Sequence, residues 1–131
     1  MFPFDRLVRS VDEMLGQKLI DGMIVAQIGD GQYEPQHMAF DRYLAKPEYD
    51  NRLVAATMLI GHAGAGTIAL ALKHRKPLLV VPRLKQYNEH VNDHQVGTAR
   101  KFEKLGYVLV AYDMQDIPAK LKALSIFSPR S

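Results

Sequence analysis

The sequence contains no cysteine among its 131 residues. That absence excludes disulfides and thiolate-bound metal, and it leaves the compartment open, with a cytosolic enzyme as the natural default. No apolar run approaches the roughly 18 residues that predict a transmembrane helix, and no signal peptide is recognisable. What remains is an ordinary globular composition, 47% hydrophobic and 24% charged, which predicts a single domain over residues 1–131 with a sizeable core.

The sequence also lacks a strong charge of either sign. Its 17 basic and 14 acidic residues give a net charge of +3, and the basic residues are dispersed along the chain. This balance suits an anionic ligand or a membrane surface, but nucleic acid is not expected as a partner.

The most informative stretch runs from residue 58 to residue 95. An apolar run at 58–60 leads into the small residues of 62–67, a helical pattern follows, and a second apolar run occupies 77–82. This order predicts a strand, a tight turn, a helix and a second strand of a parallel sheet. Ligands of such sheets bind beyond the carboxyl ends of the strands. We therefore expect a phosphate-bearing ligand on the turn at 62–67, hereafter the glycine turn.

The other segments complete an alternating pattern. Helices are predicted over about 3–15, 47–56, 65–74, 92 or 93 to 105, and 117–124, and strands over 23–28, 37–40, 58–62, 78–81 and 107–112, with a loop over 84–91. The pattern predicts an α/β fold with a doubly wound, mainly parallel sheet. A strand normally precedes the first helix of such a fold, and none is recognisable here. Either the fold tolerates a missing edge, or the sequence is a fragment or an alternative start.

The glycine turn has two interpretations. In the functional one, Gly64, Ala65 and Gly66 admit a diphosphate to the backbone and the Thr67 hydroxyl adds a hydrogen bond. In the other, the glycines only relieve crowding between strand and helix, and spacing does not separate the two. His62 either donates to a phosphate or sugar hydroxyl, carries a proton, or orients the turn as a structural histidine.

The segment 83–95 follows the next strand and should emerge at the same edge of the sheet. It is rich in donors and acceptors, from Arg83 to Gln95. A metal site built on His90, Asp93 and His94 is not favoured, because adjacent helical residues face different ways. A hydroxyl-rich ligand such as a sugar fits better. A solvated loop with a helix cap at Asp93 is the structural alternative.

Several separated motifs resemble one known family. They are His-Ala-Gly-Ala-Gly-Thr at 62–67, Lys-Pro-Leu-Leu-Val-Val-Pro-Arg at 76–83, Glu89-His90, Asp93-His94-Gln95, and the earlier segments 3–8, 11–12, 26–29 and 33–35. Together they resemble the glycosyltransferase family 28 C-terminal domain. They resemble in particular its small stand-alone members, namely exopolysaccharide subunits of the PssE type and the cytosolic subunit of the eukaryotic dolichol-linked GlcNAc transferase.

The resemblance implies the Rossmann-like C-terminal half of a GT-B fold that binds a UDP-sugar. The implied UDP-sugar site contains His62, Gly64, Ala65, Gly66, Thr67, Arg83, Asp93, His94, Gln95 and Phe40. Within it, residues 64–67 would contact the diphosphate, Gln95 with Asp93 and His94 the hexose, and the backbone near Phe40 the uracil. The resemblance implies no cofactor and no metal, the UDP-sugar being the donor substrate.

The resemblance also implies a partner, and the sequence departs from the family pattern at two places. The implied partner is a membrane-anchored subunit that binds a lipid-linked acceptor and supplies the base, which would hold this chain at the cytoplasmic membrane face. The family's initial strand and glycine loop are absent before Pro3, and Leu70 replaces a glutamate that binds ribose in relatives. An alternative function, a non-catalytic enhancer or scaffold of a glycosyltransferase partner, follows from these departures.

Overall fold

Helices and parallel strands alternate along the chain. The structure is a computed structural model, and it describes residues 4–20, 22, 24–87, 89 and 92–129. The helices are α1 Asp5–Gly16, α2 Lys46–Ala55, α3 Ala65–Lys73, α4 His94–Lys104 and α5 Ile117–Leu124, with short 3-10 helices at Lys85–Tyr87 and Met114–Asp116. The strands are β1 Val25–Gln27, β2 Ala39–Asp41, β3 Leu59–His62, β4 Leu78–Val81 and β5 Leu109–Val110.

All strand pairs in the described residues are parallel, as the α/β prediction required. β1 pairs with β2, and β4 lies between β3 and β5. The described strands therefore form two hydrogen-bonded sheets, one of two strands and one of three. The first described element is α1, whereas Pro3 and the start of the predicted first helix lie outside the described residues.

β4 is the centre of the larger sheet and is buried along its whole length. Because side chains alternate across a strand, Leu79 and Val81 face one side while Leu78 and Val80 face the other. The first pair packs in a cluster with residues of α1 and α5, and the second pair packs in a cluster with residues of α3 and α4. Helices thus cover both faces of this sheet, which is the doubly wound arrangement that the sequence predicts.

The first turn of α1 contacts the loops that follow β1 and β4. The Asp5 carboxylate accepts hydrogen bonds from the backbone of Gln32 and Tyr33, beyond β1. The neighbouring Arg6 donates to the carbonyl of Pro82 and to the carboxylate of Glu89, beyond β4. The carboxyl ends of both strands consequently meet at the amino-terminal end of α1.

A buried carboxylate on α1 fixes the loop after β1. Asp12 is fully buried and accepts hydrogen bonds from the Tyr33 hydroxyl and from the backbone N–H groups of Gln36 and His37. Burial alone would raise the pKa of Asp12, but these hydrogen bonds outweigh it and the pKa lies below its usual value. The hydroxyl of Tyr33 therefore points into the protein.

Most predicted elements end within one or two residues of the observed bounds, and three differences in the second half of the chain are described here. The predicted loop at 84–91 contains a 3-10 helix, and its positions 88, 90 and 91 lie outside the described residues. α4 begins at His94, whose N–H donates to the side chain of Asn92, while Asp93 at the N-cap makes no side-chain cap. The predicted strand at 107–112 is paired only at Leu109–Val110. These differences leave the order of elements unchanged.

Candidate functional site at the glycine turn

The glycine turn ends β3 and begins α3. Gly64 is the N-cap residue, and the Ile68 N–H donates to its carbonyl at 3.1 Å as the first bond of the helix. The N-cap residue is a glycine and provides no side-chain cap for this helix end. The N–H groups of the first turn, at residues 65–67, therefore have no intrahelical acceptor, and the positive end of the helix dipole adds to them. This geometry favours an anion.

The two glycines of the turn have different surroundings. A Cβ atom at Gly64 would lie 2.3 Å from the imidazole of His62, so any side chain there would displace that ring. A Cβ atom at Gly66 would meet nothing within 4 Å. Crowding by the His62 ring thus explains why residue 64 is a glycine, but it does not explain the glycine at position 66. Gly66 leaves open space beside the first turn of α3.

Gln95 connects the ends of β3 and β4. Its side chain is buried, and its Oε1 atom accepts from the N–H of Ala63 at 3.2 Å and from the N–H of Arg83 at 2.9 Å. Its Nε2 atom lies 3.0 Å from Nδ1 of His62. Gln95 therefore holds the two strand ends and the histidine in one hydrogen-bonded group.

His62 continues this group to the helix. Its Nε2 atom lies 3.1 Å from the hydroxyl oxygen of Thr67, in the first turn of α3. The structure thus brings together His62, Thr67, Gln95 and the backbone of Arg83 around the open helix end. These are four of the residues that the sequence singled out.

The remaining predicted site residues have other contacts. The guanidinium of Arg83 lies over the Phe4 ring at 5.4 Å, and burial lowers the pKa of Arg83, partly offset by Glu89. Asp93 accepts from the N–H of Lys85 at 2.9 Å, and the His94 ring lies 3.3 Å from the Thr98 hydroxyl. Arg83 thus contacts the residue before α1, whereas Asp93 contacts the 83–95 segment and His94 contacts the next turn of α4.

Phe40 lies in the smaller sheet. It is half-buried in β2 and pairs with Ala26 of β1. The structure therefore places the predicted uracil-facing residue in a different sheet from the glycine turn.

A second polar cluster at the same sheet edge was not found from the sequence. Glu89 is buried. Its carboxylate accepts hydrogen bonds from Nε and a terminal nitrogen of Arg6 at 2.8 and 2.9 Å, and from the backbone N–H of Leu84 at 3.1 Å. The Arg6 guanidinium also lies 4.3 Å from the centre of the Tyr87 ring. Two cavities, of about 380 and 740 Å³, are both lined by Arg6 and Tyr87. No local pattern signals this pair, because Arg6 and Glu89 lie 83 residues apart in the sequence.

Two kinds of feature are absent from the described residues. None of the helices in those ranges combines the length and apolar character needed to cross a membrane. Nor do those ranges contain a group of three or more His, Asp or Glu side chains arranged to hold a metal ion.

The fold and the site together define a Rossmann-like α/β domain with an open, anion-favouring helix end at the carboxyl edge of its larger sheet. The family model for the glycosyltransferase family 28 C-terminal domain matches residues 2–128, and the chain belongs to this family. The resemblance inferred from the sequence motifs is thereby confirmed.

Individual relatives agree with this family. The chain is 30% identical over 114 residues to the mouse UDP-N-acetylglucosamine transferase subunit ALG13, covering 80% of this chain and 9% of that protein. It is 32% identical over 95 residues to the UDP-N-acetylglucosamine–N-acetylmuramyl-(pentapeptide) pyrophosphoryl-undecaprenol N-acetylglucosamine transferase of Geobacillus kaustophilus (strain HTA426), covering 72% of this chain and 23% of that protein. The chain thus spans less than a quarter of the length of either relative.

A solved structure shares the fold. Spinosyn Forosaminyltransferase SpnP, a GT-B glycosyltransferase, superposes with a TM-score of 0.63 at 19% identity, over 93% of this chain and 29% of that one. The fold is therefore that of one half of a GT-B enzyme.

Proposed function

We propose that this domain binds a UDP-sugar and acts as the donor-binding subunit of a two-chain hexosyltransferase in exopolysaccharide or lipid-linked glycan synthesis. The observation that carries the proposal is the uncapped N-terminus of α3, with open space at Gly66 that packing does not require. The names of the mouse and Geobacillus relatives, both N-acetylglucosamine transferases, support the donor class.

The diphosphate of the donor would lie on the first turn of α3. Its oxygens would accept hydrogen bonds from the N–H groups of residues 65–67 and from the Thr67 hydroxyl. Negative charge grows on the departing UDP as the bond to the sugar breaks, so fixed N–H dipoles at that place stabilise the transition state more than the bound substrate. The exposed start of α4, at Asp93 and His94, would face the hexose.

The acceptor half of the reaction is assigned to a partner. A lipid-linked acceptor hydroxyl needs a general base and a surface that holds it, and we place both on a membrane-anchored subunit. That subunit would keep this domain at the cytoplasmic membrane face. The mouse relative is itself named a subunit, which supports a two-chain arrangement. The proposed reaction uses no metal ion or other cofactor.

One observation favours a second function, that of a non-catalytic enhancer or scaffold for a glycosyltransferase partner. Leu70, one turn beyond Thr67 on α3, is apolar and cannot accept hydrogen bonds from a ribose. The two functions are separated by Thr67→Val in the assembled complex. Sugar transfer falls if this domain binds the donor, and it is unchanged if the domain only stabilises its partner.

The donor-binding proposal is tested most sharply by two glycine variants. Gly66 in α3 and Gly97 in α4 are both helical, and an added Cβ at either meets nothing within 4 Å. Alanine at either position should therefore leave stability unchanged or raise it by up to about 1 kcal/mol. Only Gly66→Ala places a methyl group where the diphosphate would lie, and we expect it to weaken binding about tenfold or more.

Calorimetric titration with UDP and UDP-GlcNAc, with and without the partner chain, measures the effect. Thermal unfolding of both variants checks that they are folded. If Gly66→Ala and Gly97→Ala bind with equal affinity, the diphosphate does not bind at this turn. No binding by the native chain in either state would overturn the proposed function.

A further inference from the structure

The orientation of the Gln95 side-chain amide is fixed by its neighbours. The N–H groups of Ala63 and Arg83 both point to one terminal atom of Gln95, at 3.2 and 2.9 Å. Backbone N–H groups only donate, so this atom is the carbonyl oxygen. The other terminal atom is therefore the amide nitrogen, and it is the one that lies 3.0 Å from Nδ1 of His62.

This orientation determines where His62 carries its proton. An amide nitrogen donates and does not accept, so Nδ1 of His62 must be the acceptor. A neutral imidazole has one N–H, which is then at Nε2. Nε2 lies 3.1 Å from the Thr67 hydroxyl oxygen and donates to it. Gln95 thus sets the direction of the hydrogen bonds between Gln95 and His62 and between His62 and Thr67.

The direction matters at Thr67. Because its oxygen accepts from His62, its own hydroxyl hydrogen is available to an acceptor at the helix end. With the proton on Nδ1 instead, the Thr67 hydroxyl would donate to His62 and present only lone pairs at that end. Phosphate oxygens accept hydrogen bonds, so the first arrangement attracts a diphosphate and the second repels it.

We propose that Gln95 is a positioning residue, which makes Thr67 a hydrogen-bond donor to a bound diphosphate by holding the His62 proton on Nε2. The identity of the ligand rests on the proposed function. Gln95 is only 5% exposed, and its contacts use three of its four hydrogen-bonding positions. Its role is then internal, and differs from the direct hexose contact that the family resemblance implies.

The substitution Gln95→Glu should reverse the direction of the hydrogen bonds from residue 95 through His62 to Thr67, with little change in side-chain shape. One carboxylate oxygen still accepts from Ala63 and Arg83, but the other now faces His62 and can only accept. In ¹⁵N-histidine-labelled, ligand-free protein at pH 8, above the ordinary histidine pKa of about 6.5, we expect Nε2 of His62 to be protonated in the native chain. In Gln95→Glu the carboxylate beside the ring favours the imidazolium, so this variant and its affinities are measured up to about pH 10, and in the neutral ring we expect the proton at Nδ1. A spectrum of His62→Asn assigns the signal among the five histidines.

Affinity for UDP and for pyrophosphate tests the consequence. Gln95→Glu should weaken binding about tenfold or more in the native background, but at most about threefold in a Thr67→Val background, where only the added negative charge acts. Thr67→Ser keeps the hydroxyl and should bind within about threefold of the native chain. Thermal unfolding checks that each variant is folded.

Three results would overturn the proposal. A protonated Nδ1 of His62 in the native chain contradicts the assigned tautomer. An equal loss of affinity from Gln95→Glu in both backgrounds means that Gln95 acts through charge or folding and not through Thr67. If the native chain binds neither UDP nor pyrophosphate, the proposed function fails and the role of Thr67 fails with it. The NMR spectrum decides the tautomer in that case as well.

Discussion

The two sheets of this domain are stabilised in different ways. In the three-stranded sheet, β4 is buried on both faces, and Leu79 is fully inaccessible to solvent. In the two-stranded sheet, two of the three residues of β1 are exposed, and Val25 retains 44% of its accessible surface. The loop after β1 is fixed by the carboxylates of Asp5 and Asp12. One sheet thus depends on apolar packing, and the loop of the other depends on charged hydrogen bonds.

This difference explains where the candidate site lies. His62 and Gln95 hold the glycine turn at the ends of β3 and β4, and among the described strands only β4 is buried at every residue. Hydrogen-bond networks at a site stay in register only when the elements that carry them are rigid. The three-stranded sheet supplies that support.

The largest effect should come from removing apolar packing in the larger sheet. Leu79→Ala deletes a fully buried side chain of β4, and we expect a loss of about 2–5 kcal/mol in the free energy of unfolding. The matched change in the smaller sheet, Val25→Ala, acts at an exposed position and should cost less than about 1 kcal/mol. Urea unfolding measures both. Similar losses from the two variants would contradict the contrast between the sheets.

The buried ion pair should come next. Glu89→Gln leaves Arg6 without its charged partner between α1 and the larger sheet. Because the Arg6 side chain is 21% exposed, water can partly solvate it, and we expect a cost of about 2–3 kcal/mol, at or below the lower end of that for a fully buried pair. Asp50→Asn breaks the exposed Lys46–Asp50 pair of α2 and serves as the control. Asp50→Asn should lower the free energy of unfolding by no more than about 0.5 kcal/mol. An equal loss from Glu89→Gln would mean that the Arg6–Glu89 pair stabilises the fold no more than an exposed pair does.

The smallest effect should be the acid sensitivity of the loop after β1. The pKa of Asp12 is lowered in the folded protein, so its contribution to stability is complete above its ordinary value of 3.8 and is lost as the pH falls through the folded pKa. Asp12→Asn should cost about 1–2 kcal/mol at pH 6 and should flatten the fall in stability below pH 4.

The measurement is urea unfolding as a function of pH, together with amide signals of residues 33–37. We expect those signals to shift on acidification before the signals of β4 do. An unchanged acid profile in Asp12→Asn would assign the pH dependence to other carboxylates.

Local patterns in the sequence were sufficient to predict the elements and the glycine turn. The apolar run at 78–81 and the small residues at 62–67 are contiguous, so their periodicity and composition can be read directly. The different roles of Gly64 and Gly66 could not be read, because the His62 ring that crowds Gly64 is placed by Gln95, far along the chain.

The directions in which polar side chains point could not be predicted from the sequence either. Gln95 was predicted to contact the hexose of a UDP-sugar, and that contact stays a prediction. Its burial could not be predicted, because it depends on two strand ends that meet only in the folded protein. The Arg6–Glu89 pair has the same origin, since it joins the first helix to a loop late in the chain. Contacts of this kind follow from topology and leave no spacing signal.

The double attachment of α1 has a thermodynamic consequence. Asp5 and Arg6 are adjacent, and they hold loops that follow strands of different sheets. A displacement of this turn would alter the contacts of both loops together, and any coupling between the loops that results is reciprocal. The two sheets share no hydrogen-bonded strand pair in the described residues, yet their loops are linked through one peptide unit.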